Sequence, residues 1–163
     1  MNILICGDQG QGKTTACIKL SSLLKLKGHN VRGFLCPKDR IINLRTGKEV
    51  VFLKHKKEKN TIEVGRFFVT RKGLDFGHEC LKNIKKHDFV FIDQFWKLEL
   101  QKKGFYKLIK NNLGKANLII IVRKIALEQF LEFFSGYKFK IFELNPKNQK
   151  KLPEEILDFV KKR

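Results

Sequence analysis

The stretch Gly7-Asp8-Gln9-Gly10-Gln11-Gly12-Lys13-Thr14 fits the pattern G-x-x-x-x-G-K-[ST] at every fixed position. The apolar residues 2–6 come directly before it and predict a buried strand, because they form a short continuous run that ends at a glycine. Residues 13–27 follow with apolar side chains near helical spacing, and Gly28 supplies a stop. The pattern indicates a phosphate-binding loop when it lies between a strand and a helix, and this sequence provides both.

The residue types of this loop suit the binding of a polyphosphate. Glycines allow successive backbone N–H groups to point into one concavity, and the helix that follows adds the positive end of its dipole. Lys13 is placed to reach the β- and γ-phosphates, and the Thr14 hydroxyl is placed to ligate Mg²⁺. We therefore assign residues 7–14 to nucleotide binding, with Lys13 also in a catalytic role. The alternatives are a glycine-rich turn with a surface lysine, and a dinucleotide site, which would need G-x-G-x-x-G.

An acidic residue that organises the metal is expected at the end of a buried strand beside the loop. Residues 89–93 read Phe-Val-Phe-Ile-Asp, an apolar run that places Asp93 at the carboxyl edge of the predicted sheet. We predict that Asp93 and Thr14 hold Mg²⁺ together. The alternative is that Asp93 caps the next helix, because Asp is a preferred N-cap residue.

The rest of the chain alternates strands and helices. Strands are predicted at residues 31–36, 61–70, 87–93, 117–123 and 138–144, and helices at residues 73–86, 97–113, 125–135 and 152–162. Strands 41–45 and 50–55 predict a hairpin, followed by a charged mobile loop at residues 54–60. This α/β alternation favours a mostly parallel sheet with helices on both faces, interrupted by a β-hairpin excursion around residues 40–70. We expect one domain over residues 1–163.

Charge composition points to anionic partners. The 163 residues include 35 Lys and Arg against 16 Asp and Glu, which gives a formal net charge of +19. Such a surplus attracts polyanions such as nucleotides and nucleic acid. Lys outnumbers Arg 28 to 7, and Lys is a point charge rather than the bidentate fork that reads base edges. The composition therefore predicts a diffuse basic surface, and RNA or DNA is a candidate partner through that surface.

Several other classes of protein are disfavoured. The apolar runs are too short to span a membrane, and the N-terminus lacks the basic region of a signal peptide. The four cysteines are scattered, with no Cys-x-x-Cys and no histidine at ligand spacing, which argues against a zinc site or a disulfide framework. Buried thiols in a reducing compartment are the simpler interpretation. We therefore expect a cytoplasmic protein without membrane contact, and we also expect a monomer.

Five stretches resemble a known family, in order and spacing along nearly the whole chain. They are the loop followed by Thr14-Thr15, Gly33-Phe34 with Arg40, residues 64–69, Asp93 followed by residues 97–100, and residues 145–148 followed by Leu152-Pro153. The family is that of the small nucleoside-triphosphatases described from thermophiles and, in vertebrates, as the cancer-related nucleoside-triphosphatase. The resemblance implies a P-loop fold of the RecA-like kind. It also implies slow Mg²⁺-dependent hydrolysis of nucleoside triphosphates such as ATP and GTP, with loose base preference, and it extends the nucleotide site to Thr15.

The sequence departs from the family pattern after Asp93. Gln94 stands where the family has Glu, the natural candidate to polarise the attacking water, and Trp96 replaces a glycine. An amide cannot accept a proton, but Gln can orient a water by hydrogen bonding, as in small GTPases. We therefore expect either Gln94 or the retained Glu99 to align the water. The alternative for Glu99 is a solvated helix face.

Two cations complete the candidate site. Arg123 ends the apolar strand at residues 117–123 and is a candidate to stabilise the transferring phosphoryl group in cis. Lys97 follows the predicted metal ligand and is a candidate to approach phosphate. For both residues, an ordinary solvated surface side chain is the alternative.

Three classes of function follow from the sequence. The first is a Mg²⁺-dependent nucleoside-triphosphatase. The second is a nucleotide-binding module or sensor that binds nucleic acid, with hydrolysis lost at Gln94. The third is a small nucleotide or polynucleotide kinase, which ranks last because the chain has only 7 Arg and no Arg-rich lid segment.

Overall fold

The computed structural model describes residues 1–162, so that Arg163, the last residue of the predicted domain, lies outside this range. The strands are β1 (Asn2–Gly7), β2 (Val31–Leu35), β3 (Arg40–Asn43), β4 (Glu49–Val51), β5 (Leu53–Lys54), β6 (Thr61–Val64), β7 (Phe67–Thr70), β8 (Phe89–Phe95), β9 (Asn117–Arg123) and β10 (Lys140–Glu143). The helices are α1 (Lys13–Leu26), α2 (Arg71–Cys80), α3 (Lys97–Leu100), α4 (Tyr106–Asn112), α5 (Leu127–Phe133) and α6 (Leu152–Lys161), with a 3₁₀ turn at Lys124–Ala126 before α5.

A seven-stranded sheet forms the centre of the molecule, with the strand order β10-β1-β9-β8-β2-β3-β4. Its first five strands run parallel, whereas β3 and β4 add antiparallel strands at one edge. The mostly parallel sheet predicted from the sequence is confirmed. Because β9 lies between β1 and β8, the strand that enters the phosphate loop and the strand that carries Asp93 are both paired with β9.

Side chains of the central strands bury into two separate cores, one on each face of the sheet. On one face, Ile3 and Ile5 of β1 belong to a core shared with α1 and α6. On the other face, Leu4 belongs to a core shared with α2, α4 and α5. Helices on both faces are therefore confirmed. Since every residue of β1 is buried, this strand is a fixed support for the loop that follows it.

The β excursion predicted around residues 40–70 is present, but it is divided more finely than expected. β3 and β4 form the predicted hairpin, while β5, β7 and β6 form a separate antiparallel sheet of three strands. The single strand predicted over residues 61–70 is wrong, because the chain reverses at Gly65-Arg66 between β6 and β7. The loop predicted at residues 54–60 begins one residue later, since Lys54 ends β5.

The single helix predicted over residues 97–113 is also wrong, because a turn separates α3 from α4. Lys102 and Gly104 take positive φ values of 58° and 56° in that turn. The buried carboxylate of Glu99 accepts hydrogen bonds from backbone N–H groups on both sides of α3. Apolar side chains recur on both sides of the turn, so their spacing alone does not reveal the break.

The remaining elements lie close to their predicted bounds, except for the C-terminal end of α2. α2 begins two residues early, because Thr70 Oγ1 accepts a hydrogen bond from the Gly73 N–H at 2.9 Å, and it ends at Cys80 rather than at residue 86. Over residues 1–162, none of the helices combines the length and the hydropathy needed to cross a bilayer.

Candidate functional site

The phosphate loop joins β1 to α1 at the carboxyl edge of the central sheet. Gly10 and Gly12 adopt left-handed φ values of 81° and 83°, a conformation that residues with a Cβ rarely adopt. Gly12 is the N-cap residue of α1, and α1 has no acidic side chain in its first turn. The positive end of the helix dipole therefore faces the loop, and no carboxylate in the first turn of α1 neutralises it.

Lys13 lies across the loop and is only 7% exposed. Its Nζ donates hydrogen bonds to the carbonyl oxygens of Gly7 and Asp8, at 2.8 and 2.6 Å. An ammonium group has three N–H bonds, so one remains for a phosphate oxygen. Burial lowers the pKa of Lys13, and the nearby charge of Arg123 lowers it further. A polyphosphate bound in the loop would oppose both effects, in keeping with the predicted role.

Side-chain contacts fix the shape of the loop. Gln11 Oε1 accepts a hydrogen bond from the Asp8 N–H at 3.0 Å, and Gln9 Oε1 accepts one from Arg123 Nη1 at 2.9 Å. Thr15 lies exposed in the first turn of α1. The residues predicted to bind the nucleotide through this loop thus lie together at one edge of the sheet.

The structure places Asp93 beside Thr14. Asp93 Oδ2 accepts a hydrogen bond from Thr14 Oγ1 at 2.8 Å and another from the Cys36 N–H at 2.9 Å. Asp93 is 2% exposed, and burial raises the pKa of its carboxyl group to about 6, although both hydrogen bonds oppose the shift. The alternative that Asp93 caps a helix is wrong, since α3 begins at Lys97 with Trp96 as its N-cap residue.

The sequence did not single out Cys36, which contacts Asp93 twice. Besides the backbone contact, Cys36 Sγ donates a hydrogen bond to the Asp93 carbonyl oxygen at 3.0 Å. Burial raises the pKa of this thiol well above its usual value, so the thiol is neutral and positions the backbone of β8. One signal was available: Cys36 directly follows β2, and a residue after the strand next to the acidic strand reaches the same sheet edge.

The oxygen donors around Asp93 fit a magnesium ion. Mg²⁺ prefers oxygen ligands and keeps several waters, so one hydroxyl and one carboxylate beside a phosphate chain are a sufficient protein contribution. Within residues 1–162, no side chain or backbone group donates a hydrogen bond to Asp93 Oδ1. The same part of the chain has no group of three or more His, Cys, Asp or Glu side chains that could hold a metal ion. The donor set therefore suits a cation shared with a phosphate chain.

Gln94 lies in β8 at the point where the pairing with β9 shifts register, between Asp93 and Phe95. It is half-buried and lines a cavity that also contacts Asp93. Its amide offers two N–H donors and one oxygen acceptor, but it takes up no proton at neutral pH. Gln94 is therefore placed to orient a molecule in this cavity by hydrogen bonds alone.

Glu99 is 4% exposed, so the alternative of a solvated helix face is wrong. Its Oε2 accepts a hydrogen bond from the Trp96 N–H at 3.1 Å, and its Oε1 accepts one from the Phe105 N–H at 3.0 Å. Burial raises the pKa of Glu99 to about 7, and these backbone hydrogen bonds oppose the shift. Glu99 lines the same cavity as Gln94, while both of its oxygens are engaged in fixing α3.

Arg123 lies between the phosphate loop and this cavity. In addition to its hydrogen bond with Gln9, its guanidinium lies over the Trp96 ring, 4.6 Å from the ring centroid. Burial lowers the pKa of Arg123, and the charge of Arg66 adds to the effect. Lys97 is exposed, and its Nζ lies 6.0 Å from the same ring centroid. Both predicted cations line the cavity.

The cavity has a volume of about 400 Å³ and lies between the carboxyl ends of β2, β8 and β9 and the three-stranded sheet. Its lining includes Gln9 of the loop and Asp93 of β8, and also Leu53, Val64 and Phe67 of the three-stranded sheet. Sequence patterns did not reveal this cavity, because its far wall comes from strands that form a sheet of their own within the β excursion.

Comparison with known proteins finds similar chains over nearly the whole sequence. A family model described as NTPase matches residues 2–157. The nucleoside-triphosphatase THEP1 of Archaeoglobus fulgidus is 27% identical over an alignment of 164 positions that covers 96% of each chain. The THEP1 of Thermotoga maritima is 30% identical over an alignment of 171 positions that covers 99% of this chain and 96% of the relative. The crystal structure of THEP1 from the hyperthermophile Aquifex aeolicus matches with a TM-score of 0.67 at 23% identity, over 98% of both chains, and confirms the α/β P-loop fold.

Proposed function

The chain belongs to the NTPase family, and on that basis we propose that it hydrolyses nucleoside 5′-triphosphates, ATP and GTP among them, to the diphosphate and phosphate. We propose that the reaction is slow, requires Mg²⁺ and has a loose base preference. The hydrogen bond of 2.8 Å between Thr14 and Asp93 carries this proposal, because it joins the phosphate loop to the acidic strand beside Lys13.

Each group of the site has a proposed role in the reaction. The amides of residues 7–15 and the Lys13 ammonium bind the β- and γ-phosphates. Thr14 and Asp93 would hold Mg²⁺, which neutralises phosphate charge when it is bound. Lys13 and Arg123 offset the charge that develops on the γ-phosphoryl group. All these groups act on phosphate or metal rather than on the base of the nucleotide, which supports the loose base preference.

Gln94 is the better candidate to align the attacking water. It lies next to Asp93 and lines the cavity, whereas both oxygens of Glu99 already accept backbone hydrogen bonds. A glutamine can position water without taking its proton, so catalysis here depends on orientation and electrostatics. Lys97 contributes positive charge at the edge of the same cavity.

We also propose a cellular location and an oligomeric state. The four cysteines are free thiols, which suits a reducing compartment such as the cytoplasm. We also propose that the chain acts as a monomer.

The direct test measures phosphate release with Mg-ATP and with Mg-GTP. Lys13→Ala should lower kcat/KM by about 100-fold or more, because the loop loses its phosphate-binding charge. Lys19→Ala is the matched control, since Lys19 lies on the same helix but is exposed and pairs with Glu154 at 2.6 Å. Removal of Mg²⁺ by EDTA should abolish release. Equal activity in Lys13→Ala and the wild type would refute the proposal.

Gln94 also favours a second candidate, a nucleotide-binding module that binds nucleic acid and hydrolyses triphosphate poorly. The amide stands at the position next to the metal ligand where a proton acceptor would serve hydrolysis best. Tight binding of Mg-ATP by the wild type without phosphate release would support this candidate over the first.

A further inference from the structure

The cavity beside the phosphate loop extends well beyond the groups that hydrolysis needs. Its volume of about 400 Å³ falls in the usual range for small-molecule sites. Four aromatic side chains contribute to its wall, namely Phe52, Phe67, Trp96 and Phe105. A single water needs no aromatic wall, whereas a planar organic ligand is well matched by one.

The same cavity carries an excess of positive charge. Its lining includes four cations, Lys38, Arg66, Lys97 and Arg123. Within residues 1–162 none of these four forms a salt bridge with an acidic side chain. The two carboxylates of the lining accept hydrogen bonds from a hydroxyl and from backbone amides instead. The lining therefore favours an anionic ligand with an aromatic part.

The fold brings two arginines to the cavity, although the sequence has no Arg-rich segment. Arg66 comes from the turn between β6 and β7, and Arg123 comes from the end of β9. Arg66 lies over the Phe67 ring, 4.9 Å from the centroid, as Arg123 lies over Trp96. Each guanidinium is thus held against an aromatic ring at the cavity wall, where it can bind a phosphate group.

The chemistry at the loop side of the cavity suits a nucleophile that arrives without a proton. Gln94 accepts no proton, and Asp93 is committed to Thr14, Cys36 and the proposed metal. Water and alcohols must lose a proton when they attack phosphorus, whereas an oxygen of a phosphate monoester is already anionic at neutral pH. Such an ester also brings the negative charge that the four cations favour.

We propose that this cavity binds a nucleoside monophosphate, or a closely similar aromatic phosphate monoester, and that this ligand accepts the γ-phosphoryl group of the bound triphosphate. The proposal rests on the proposed function, because the phosphate loop must hold the donor. It adds a second substrate and a second reaction. Hydrolysis is then the transfer of the same phosphoryl group to water, which occurs when no acceptor is present.

The transfer step balances without a further reactant. An anionic oxygen of the acceptor phosphate forms a bond to the γ-phosphorus of the donor. The bond between the γ-phosphorus and the oxygen that bridges to the β-phosphorus breaks, and its electron pair leaves with the donor diphosphate. The acceptor monophosphate becomes a diphosphate, so one triphosphate and one monophosphate give two diphosphates. No proton is transferred to or from the protein in this step.

The experiment follows radioactive γ-phosphate from Mg-ATP in the presence of AMP, GMP, CMP or UMP at millimolar concentration. With at least one of the four acceptors, labelled nucleoside diphosphate should form at least tenfold faster than inorganic phosphate. Arg66→Met and Lys38→Met should each lower the ratio of transfer to hydrolysis at least tenfold. Arg71→Met is the matched control, because Arg71 is exposed at the start of α2 and does not line the cavity.

A binding measurement separates this proposal from the proposed function. Calorimetric titration of the same monophosphates should show binding to protein that already holds Mg²⁺ and a non-hydrolysable triphosphate, with a Kd at least tenfold weaker in Arg66→Met. Triphosphate binding and hydrolysis without transfer or monophosphate binding would overturn this proposal alone. Displacement of the triphosphate by the monophosphate would also overturn it, and so would transfer confined to the 5′ end of an oligonucleotide. Absence of triphosphate binding would overturn both proposals.

Discussion

Asp93 connects three parts of the structure through one oxygen atom. Its Oδ2 accepts the Thr14 hydroxyl from α1 and the Cys36 amide from the end of β2, while Asp93 itself belongs to β8. Because both donors converge on Oδ2, the orientation of the carboxylate is fixed before any ligand binds. Within residues 1–162 Oδ1 accepts no such hydrogen bond, so this oxygen of a buried side chain is available to a metal ion.

Replacement of Gln94 by Glu tests whether the missing proton acceptor limits hydrolysis. We expect Gln94→Glu to raise kcat for phosphate release by about tenfold or more, since general-base catalysis contributes roughly 10²–10⁴-fold. Release is measured at saturating Mg-ATP, with Gln94→Ala expected to be slower than the wild type because it loses the amide hydrogen bonds. A Glu variant no faster than the wild type would show that proton removal is not limiting.

Gly33 sets the approach of β2 to β8. Its φ is +87°, and a Cβ at this position would lie 2.0 Å from the backbone oxygen of Phe91. Gly33→Ala should therefore lower the free energy of unfolding by at least about 3 kcal/mol, through strain and overpacking together. Gly47→Ala is the control, because Gly47 has a φ of +72° but no atom within 4 Å, and roughly 1–2 kcal/mol is expected there. Urea unfolding measures the free energy of unfolding of both variants. Equal losses in the two variants would contradict the role of the Phe91 contact.

Among the elements, α3 depends on a buried carboxylate at its third residue. Glu99 accepts the N–H of Trp96, which precedes the helix, and the N–H of Phe105, which precedes α4. The helix has four residues and makes few hydrogen bonds of its own, so this side chain determines where it begins and how it turns into α4. The energetic cost of this arrangement is that the acidic side chain of Glu99 is buried away from water.

That cost predicts how stability depends on pH. The pKa of Glu99 is about 7 in the folded protein against an ordinary value of 4.5, so the native state holds the additional proton between these values. The resulting stabilisation is fully present below about pH 4.5 and is lost as the pH rises through 7. The free energy of unfolding should therefore fall by roughly 2–4 kcal/mol between pH 4.5 and 8.

Urea unfolding over this pH range, without nucleotide or metal, measures the dependence. Burial raises the pKa of Asp93 as well, so that residue contributes a fall in the same direction. Comparison with Glu99→Gln isolates the part due to Glu99, because Asp93 is unchanged in both proteins. The variant should lose most of the fall above pH 6, and an unaltered pH profile would contradict the assignment.

Local signals predicted the elements that build the loop, and they failed where distant residues decide the structure. β1, the glycines of the loop and α1 follow one another in sequence, so pattern and periodicity agree there. The break between α3 and α4 depends on the contact of Glu99 with Phe105, which apolar spacing does not register. The contact of Cys36 with Asp93 exists only because β2 pairs with β8, and the cavity likewise depends on tertiary packing.

For the molecule as a whole, the net charge of +19 rests largely on 28 lysines. If nucleic acid is a partner, lysine–phosphate contacts should dominate, and these release counterions without reading bases. The affinity for a random single-stranded RNA 20-mer should fall at least about tenfold between 50 and 200 mM salt, and it should be the same for a scrambled sequence. Fluorescence anisotropy measures both, and binding that is sequence-selective or indifferent to salt would contradict a diffuse basic surface.

The position of β9 between β1 and β8 constrains how this scaffold can change. Thr14 comes after the loop that follows β1, and Asp93 belongs to β8, so their hydrogen bond spans the end of β9, where Arg123 is the last residue. Side chains alternate between faces along a strand, so one inserted residue would turn Arg123 to the opposite face of the sheet, away from Gln9 and Trp96. Related sequences should therefore tolerate substitutions along β9 but not insertions or deletions within it. This constant length makes β9 a suitable reference for aligning remote relatives.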